Sequence, residues 1–147
     1  MNDYEKRLKR LEDIREIKDL HREYVYWVNS CEWDKVIDCF TEDCSVNIGS
    51  WGLRRGKGSL PKLFKEDIAH NNKGKGRDGH FAIMPVITVD GDRAKGHWLM
   101  YIMISDPETG KALRWAIGRH DAEYARVGGN WKIHDIIWAS PWPANSQ

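Results

Sequence analysis

Hydrophobic residues in the first third of the chain recur at steps of three and four positions, which is the spacing of one helix face. This stripe predicts a long amphipathic helix from Glu5 to Ser30, and the same period predicts a second helix from Trp33 to Phe40. The stripe of the first helix consists of Leu8, Leu11, Ile14, Ile17, Leu20, Tyr24 and Val28. A short strand is predicted from Ser45 to Ile48, ahead of a glycine-rich passage.

A third helix is expected after this passage. Ser59 is its predicted N-cap, Pro61 suits its first turn, and the helix should end by about Asn71. The segment that follows, Asn71 to Gly79, contains no apolar residue. Such a polar segment beside a hydrophobic domain is a candidate flap.

The pattern changes again in the second half of the chain, where long β-like runs replace the helical period. The predicted strands are His80 to Val89, Arg93 to Ile104, Lys111 to Arg126 and Trp131 to Ser140. Because short turns rich in Asp and Gly join them, the four strands should form an antiparallel meander. Both faces of the middle strands are largely apolar, so alternation alone leaves open which face looks inward.

Helices followed by strands indicate the α+β class. We expect a single domain over residues 1–147, with N-terminal helices packed on a curved antiparallel sheet to form a cone-shaped barrel. The open end of such a cone is the natural place for a small ligand.

Composition and charge exclude several classes of function. The chain has 147 residues and 23 basic against 22 acidic side chains, and a net charge of +1 argues against a nucleic-acid partner. No apolar stretch approaches the length of a membrane span and the N-terminus is charged, so we expect a cytoplasmic protein with no membrane partner. The three cysteines lack a CxxC pair and the histidines match no ligand spacing, so neither a metal nor a disulfide framework is expected.

Eight tryptophans and five tyrosines are unusual in so short a chain. Such side chains fill cores and also line pockets for flat apolar molecules, and the sequence leaves both readings open. Gly118 is of interest because a ligand can approach a strand closely where no side chain projects. The candidate substrate-binding residues are Trp27, Trp51, Trp98, Met100, Ile102, Trp115, Gly118 and Trp138.

Two histidines are candidates for chemistry. His80 follows the polar segment and opens a strand, where an imidazole could serve as a base at neutral pH, although a structural histidine is an equal alternative. His120 shares a strand face with Gly118 and could assist as an acid or an orienting group. Asp78 and Asp121 are near them in sequence and could each orient an imidazole. The remaining histidines carry no functional signal.

The order of the elements and several short motifs resembles the SnoaL-like branch of the nuclear transport factor 2-like superfamily. The motifs are Asp13 to Leu20 followed by Tyr24, Glu32 to Asp34, Phe40 to Cys44, a histidine ahead of Val86 to Ala94, and Gly128 to Trp131. The resemblance covers nearly the whole chain and implies a cone-shaped α+β barrel.

Within that branch the chain looks most like bile-acid dehydratase, scytalone dehydratase and hexachlorocyclohexane dehydrochlorinase. These enzymes eliminate water or HCl from cyclic substrates without a metal or an organic cofactor. The resemblance implies that His80 is a general base and that Tyr24 polarises or protonates an oxygen. From the helix pattern alone, Tyr24 could equally be a packed core residue.

The chain also departs from these enzymes. Asn29 stands where relatives place the aspartate that orients the histidine, and Ile48, Ile102 and Ser140 replace other polar positions. The resemblance therefore implies a cofactor-independent lyase or isomerase for a cyclic apolar substrate, with Asn29 as an altered member of the catalytic group. Asn29 favours the alternative, a non-catalytic ligand-binding or assembly module. Family members commonly pair through the sheet, so a homodimer or homotrimer is expected.

Overall fold

The computed structural model describes residues 1–69 and 78–142. Its helices are α1 (Asp3–Asn29), α2 (Trp33–Asp38) and α3, a π-type helix (Lys62–Ile68). Its strands are β1 (Phe40–Asn47), β2 (Leu53–Arg55), β3 (Gly79–Asp90), β4 (Arg93–Ser105), β5 (Ala112–Val127) and β6 (Asn130–Ala139). Two 3₁₀ turns, Gly49–Trp51 and Lys57–Ser59, flank β2.

The helix α1 begins with a capping box. The Asn2 side chain accepts a hydrogen bond from the Glu5 backbone N–H, and the Glu5 carboxylate accepts one from the Asn2 N–H. Burial of the helix starts only at Asp13, so Leu8 and Leu11 of the predicted stripe are exposed. The half of α1 that follows Asp13 is therefore the part that packs on the sheet.

The sheet has six strands in the order β2-β1-β6-β5-β4-β3. The four strands β3 to β6 form the predicted antiparallel meander. The sheet is mixed, however, because β1 pairs with β6 in parallel. It curls without closing, and the α+β class of N-terminal helices packed on a curved sheet is confirmed.

The boundaries of the early elements differ from expectation. β1 begins at Phe40 instead of Ser45, because Phe40 already pairs with Ile133 of β6. Ser59 does not cap α3, since its hydroxyl donates to the Gly56 carbonyl at 2.7 Å and Pro61 occupies the N-cap position. The candidate flap, Asn71 to Gly79, lies outside the described residues except for its last two positions.

The structure settles which strand faces look inward. On β4 the inward side chains are those of Trp98, Met100 and Ile102, on the face that carries Gly96. On β5, Trp115 and its neighbours Leu113 and Ile117 are exposed on the opposite face. Self-association through this apolar outer face stays a prediction. None of the helices in the described ranges combines the length and apolarity that a bilayer crossing requires.

Candidate functional site

A cavity of about 400 Å³ lies between α1, α3 and the inward faces of β3, β4 and β5. This volume is in the range of sites for small organic molecules. Its polar side chains are those of Tyr24, Ser50, Asp78, His80, Arg114 and His120. Its apolar walls come from Val25, Val28, Ile48, Trp51, Phe64, Ile68, Met100, Ile102, Ile104 and Trp138.

His80, the second residue of β3, is held by Asn29, the last residue of α1. The Asn29 Nδ2 atom donates to the His80 carbonyl at 2.8 Å, and its Oδ1 atom accepts from the His80 backbone N–H at 2.8 Å. These two bonds fix which end of the amide faces the ring. The same Oδ1 lies 3.2 Å from His80 Nδ1. Because a carbonyl oxygen only accepts, Nδ1 carries the proton and Nε2 keeps its lone pair.

The charge state of His80 suits a base. Burial lowers the pKa of His80 below the ordinary 6.5, and the nearby Asp78 carboxylate partly offsets this effect. The imidazole is therefore neutral at neutral pH, with a lone pair available. Asp78 also lines the cavity, where it accepts a hydrogen bond from the Ser105 N–H at 3.0 Å.

His120 belongs to a second group of hydrogen-bonded side chains, which is buried in the core. Its Nδ1 atom lies 3.2 Å from Nε2 of His21, and Nδ1 of His21 lies 2.8 Å from the Tyr124 hydroxyl. The indole N–H of Trp98 donates to the same hydroxyl at 3.0 Å. The His21 and Trp98 rings stack with centroids 4.6 Å apart. All four side chains are buried.

Both imidazoles of this cluster are neutral. Burial, and to a smaller extent the neighbouring His80, lowers the pKa of His120 to about 3, against a small opposing effect of Asp121. Burial and the neighbouring His120 hold the pKa of His21 well below its ordinary value. The cluster therefore acts through hydrogen bonds and carries no charge at neutral pH.

Tyr24 contributes a neutral phenol to the cavity. Its ring packs edge-on against Phe40 and His21, and its centroid is 6.2 Å from that of His120. Burial, with a smaller effect of Cys39, raises the pKa of Tyr24 above its ordinary value. The structure thus brings Tyr24, His80 and His120 to one cavity, with Asn29 directly behind His80.

Four predicted ligand contacts lie where a ligand could meet them: Trp51, Met100, Ile102 and Trp138 line the cavity. Two predicted contacts lie elsewhere on the molecule. Trp115 is 58% exposed on the outer face of the sheet, against Phe81 and Tyr101. Trp27 packs beside Tyr26 and under the Lys35 ammonium group. Neither side chain lines the cavity.

The other two predicted contacts, Trp98 and Gly118, do not line the cavity but lie behind residues that do. Trp98 is buried in the His21 cluster. Gly118 makes room for another side chain instead of a ligand, since a Cβ atom there would lie 1.9 Å from Cζ2 of Trp138. Trp138, seated in this space, meets the His120 ring edge-on at 5.9 Å.

Sequence reasoning missed His21 and misplaced Asp121. His21 falls on the buried side of α1 between Ile17 and Tyr24, and a histidine among apolar stripe positions is the signal that could have found it. Asp121 does not orient His120, because it is bound to His97 Nδ1 at 2.5 Å and to Arg119 Nε at 2.6 Å.

One group in the described ranges could share a cation. The ligand atoms of Glu123, His134 and Asp135 lie within 4.8 Å of one another. Two of the three side chains already have partners outside the group, since His134 Nε2 is 3.4 Å from Asp43 and Glu123 is 3.9 Å from Lys95. The group is separate from the cavity lined by His80 and His120.

Comparison with known proteins identifies a matching family and a set of structural relatives. The family model of the SnoaL-like domain matches residues 9–136. An NTF2-like protein with a cystatin-like fold from Novosphingobium aromaticivorans is 18% identical with a TM-score of 0.80, over 98% of this chain and 90% of that one. Among curated proteins, none matches the chain.

Two further structures share the fold. LinA is 17% identical with a TM-score of 0.79, over 95% of each chain. Hexachlorocyclohexane dehydrochlorinase LinA-type3 from Novosphingobium barchaimii is 16% identical with a TM-score of 0.78, over 95% of this chain and 96% of that one. At these identities the likeness establishes the fold alone.

Proposed function

Because the chain belongs to the SnoaL-like domain family, as the sequence motifs predicted, we propose that it is a cofactor-independent lyase or isomerase for a cyclic apolar substrate. The observation that carries this proposal is the state of His80. Its Nδ1–H is bound to Asn29, its Nε2 lone pair is available, and it lines a largely apolar cavity. An imidazole of this kind is suited to take a proton from carbon.

In the proposed reaction His80 Nε2 removes a proton from a carbon next to a carbonyl or similar activating group. The electron pair of the C–H bond forms a C=C bond, and negative charge develops on the activating oxygen. The Tyr24 phenol, neutral in its buried setting, would donate a hydrogen bond to that oxygen. In an isomerisation the enolate re-forms its C=O bond while another carbon of the conjugated system takes the proton from the His80 imidazolium. In an elimination the enolate re-forms its C=O bond, its C=C electron pair moves to the neighbouring carbon–carbon bond, the C–O bond to the hydroxyl group breaks, and the imidazolium protonates that hydroxyl group to give water.

The shape and polarity of the cavity support a cyclic apolar substrate. Trp51 and Trp138 supply flat walls, and Met100, Ile102 and Ile104 supply an apolar floor. A dehydrochlorinase among the structures of the same fold is consistent with elimination from a ring.

One observation favours a second candidate function, a non-catalytic ligand-binding module. Asn29 orients His80 but offers no negative charge to stabilise an imidazolium ion. In a serine protease, the exchange of the orienting aspartate for asparagine costs about 10⁴ in kcat. A binding module would keep the cavity and lose turnover.

The test uses a panel of cyclic ketones and cyclic β-hydroxyketones incubated with the protein in D₂O. Deuterium incorporation at carbon and loss of water are followed by NMR. We expect His80→Ala to reduce either reaction by about 10²- to 10⁴-fold, the usual contribution of a positioned base. The control is His97→Ala, which removes an exposed histidine from the outer face.

Two outcomes would contradict the proposal. Equal rates in the His80→Ala and wild-type proteins would show that His80 is not the base. Ligands that quench the fluorescence of Trp51 and Trp138 without exchange or elimination would establish the binding module instead.

A further inference from the structure

Three buried polar side chains, those of Trp98, Tyr124 and His21, have no part in the reaction proposed for His80 and Tyr24. They form a continuous hydrogen-bonded chain that ends on His120, at the wall of the cavity. Buried polar groups tend to be satisfied as complete networks, so the direction of each hydrogen bond can be worked out from its partners.

The direction is set at the Trp98 end. An indole N–H donates and cannot accept, so the Tyr124 oxygen is the acceptor of the 3.0 Å bond. The hydroxyl proton of Tyr124 then needs an acceptor of its own. The nitrogen that faces it is Nδ1 of His21, at 2.8 Å.

The same direction passes through His21 to His120. A neutral His21 that accepts at Nδ1 carries its proton on Nε2, and Nε2 lies 3.2 Å from Nδ1 of His120. His120 therefore accepts at Nδ1 and carries its own proton on Nε2. The reverse direction would leave the Tyr124 proton without an acceptor in a buried site, or would require a charged His21 where burial disfavours it.

We propose that His120 presents a fixed Nε2–H hydrogen-bond donor to the cavity, and that the ligand places a carbonyl or hydroxyl oxygen against it. His21 and Tyr124 are positioning residues that act through His120. The two cavity histidines then have opposite tautomers, with a lone pair on Nε2 of His80 and a proton on Nε2 of His120. Resting on the proposed function, this arrangement selects a cyclic ketone or β-hydroxyketone, whose carbonyl oxygen would accept hydrogen bonds from both His120 and Tyr24 while His80 meets the neighbouring C–H.

The first test needs no substrate. Long-range ¹H–¹⁵N correlation spectra of the ¹⁵N-labelled protein at pH 7 report which ring nitrogen of each histidine is protonated. We expect protons on Nε2 of His21 and His120 and on Nδ1 of His80. A proton on Nδ1 of His120, an imidazolium ion, or an average of both tautomers would overturn the proposal.

A variant tests the role of the chain. Tyr124→Phe deletes the hydroxyl that donates to His21, so we expect the His21 and His120 signals to change to averaged tautomers. The matched control is Tyr26→Phe, which removes a hydroxyl from a side chain that is 63% exposed. A folded Tyr124→Phe protein that keeps a single Nε2–H tautomer would overturn the role of the chain. If this variant does not fold, the wild-type spectrum still decides the tautomer of His120.

A ligand pair tests the placement of the oxygen. Cyclohexanone should move the His120 Nε2–H resonance, whereas cyclohexane, with the same ring and no oxygen, should not. No movement with cyclohexanone, or equal movement with both, would overturn the assigned ligand chemistry. Because the spectra require no turnover, the donor role of His120 and the base role of His80 can fail separately.

Discussion

The two walls of the cavity each hold a neutral histidine, but they do so by different means. On the α1–β3 wall a single amide, Asn29, holds the backbone and the ring of His80 together. On the β4–β5 wall His120 is the last member of a chain that runs through the core to Trp98. A carboxylate is required in neither case. The first arrangement rests on one side chain at the end of α1, whereas the second is built from buried side chains of the core.

The largest expected effect is acid destabilisation that originates from the β4–β5 wall, which holds His120. Burial holds the folded-state pKa of His21 and His120 below the ordinary 6.5. Below pH 6.5 the unfolded chain therefore binds protons that the folded chain does not. As the pH is lowered below 6.5, the free energy of unfolding should decrease by roughly 1.4 kcal/mol per pH unit for each of these histidines. Above pH 6.5 these two histidines should not affect it.

Urea unfolding at pH 7.0, 5.5 and 4.5 measures this slope. His120→Gln keeps an acceptor for His21 and should reduce the slope by the contribution of one histidine. The carboxyl groups with lowered pKa, such as Asp13, lose their contribution only below about pH 4, where they begin to take up protons. Equal slopes in wild type and His120→Gln would refute the prediction.

The next largest effect is expected at the α1–β3 wall, which holds His80. Asn29→Asp keeps the acceptor for the His80 ring and places a negative charge beside it, so the pKa of His80 should rise by about one to three pH units. The substitution also replaces the amide that donates to the His80 carbonyl, which limits the gain. An NMR titration of the His80 ring measures the change.

The control for this variant is Asn47→Asp, the same chemical change at an exposed position on β1. The tautomer of His120 should be the same in both variants, because its chain does not include Asn29. An unchanged or lower His80 pKa in Asn29→Asp would show that the amide is not the group that orients the ring.

The comparison of the two walls also explains what the sequence could predict. Local periodicity and turn residues predicted the helices and the β3–β6 meander, because those features depend on residues close together in the sequence. The parallel pairing of β1 with β6 was not predictable in this way, since it joins distant segments. His80 was predicted as a candidate from its place at a strand start after a polar segment and from its family position, and it lines the cavity.

The orienting partners of both histidines were harder to predict. At Asn29 the sequence indicated only the loss of a charge, because the backbone bonds to His80 exist only once α1 and β3 meet. His21 lies on the buried side of α1 but was not among the predicted stripe positions, and its hydrogen-bond partners lie 99 and 103 positions away along the chain. Hydrogen-bond networks between distant elements leave little trace in local patterns.

The smallest effect is expected from a substitution at Gly118, which tests the β4–β5 wall from the side of Trp138. The ring of Trp138 occupies the space that a side chain at position 118 would need, with Cζ2 only 1.9 Å from the Cβ position. Gly118→Ala must therefore displace a ring that lines the cavity and contacts His120. Overpacking of this kind typically costs about 1–3 kcal/mol, so we expect a loss of stability in that range and weaker binding of cyclohexanone.

The matched control is Gly58→Ala, where a new Cβ atom meets open space. Urea unfolding at pH 7 compares the two variants, and the His120 resonance reports whether the displaced indole also moves the imidazole. Because the tautomer of His120 is set from the Trp98 side, Gly118→Ala should shift the position of the ring and leave its proton on Nε2. Equal stability of the two alanine variants would mean that Trp138 can leave its place without cost, and that this wall is less rigid than its packing indicates.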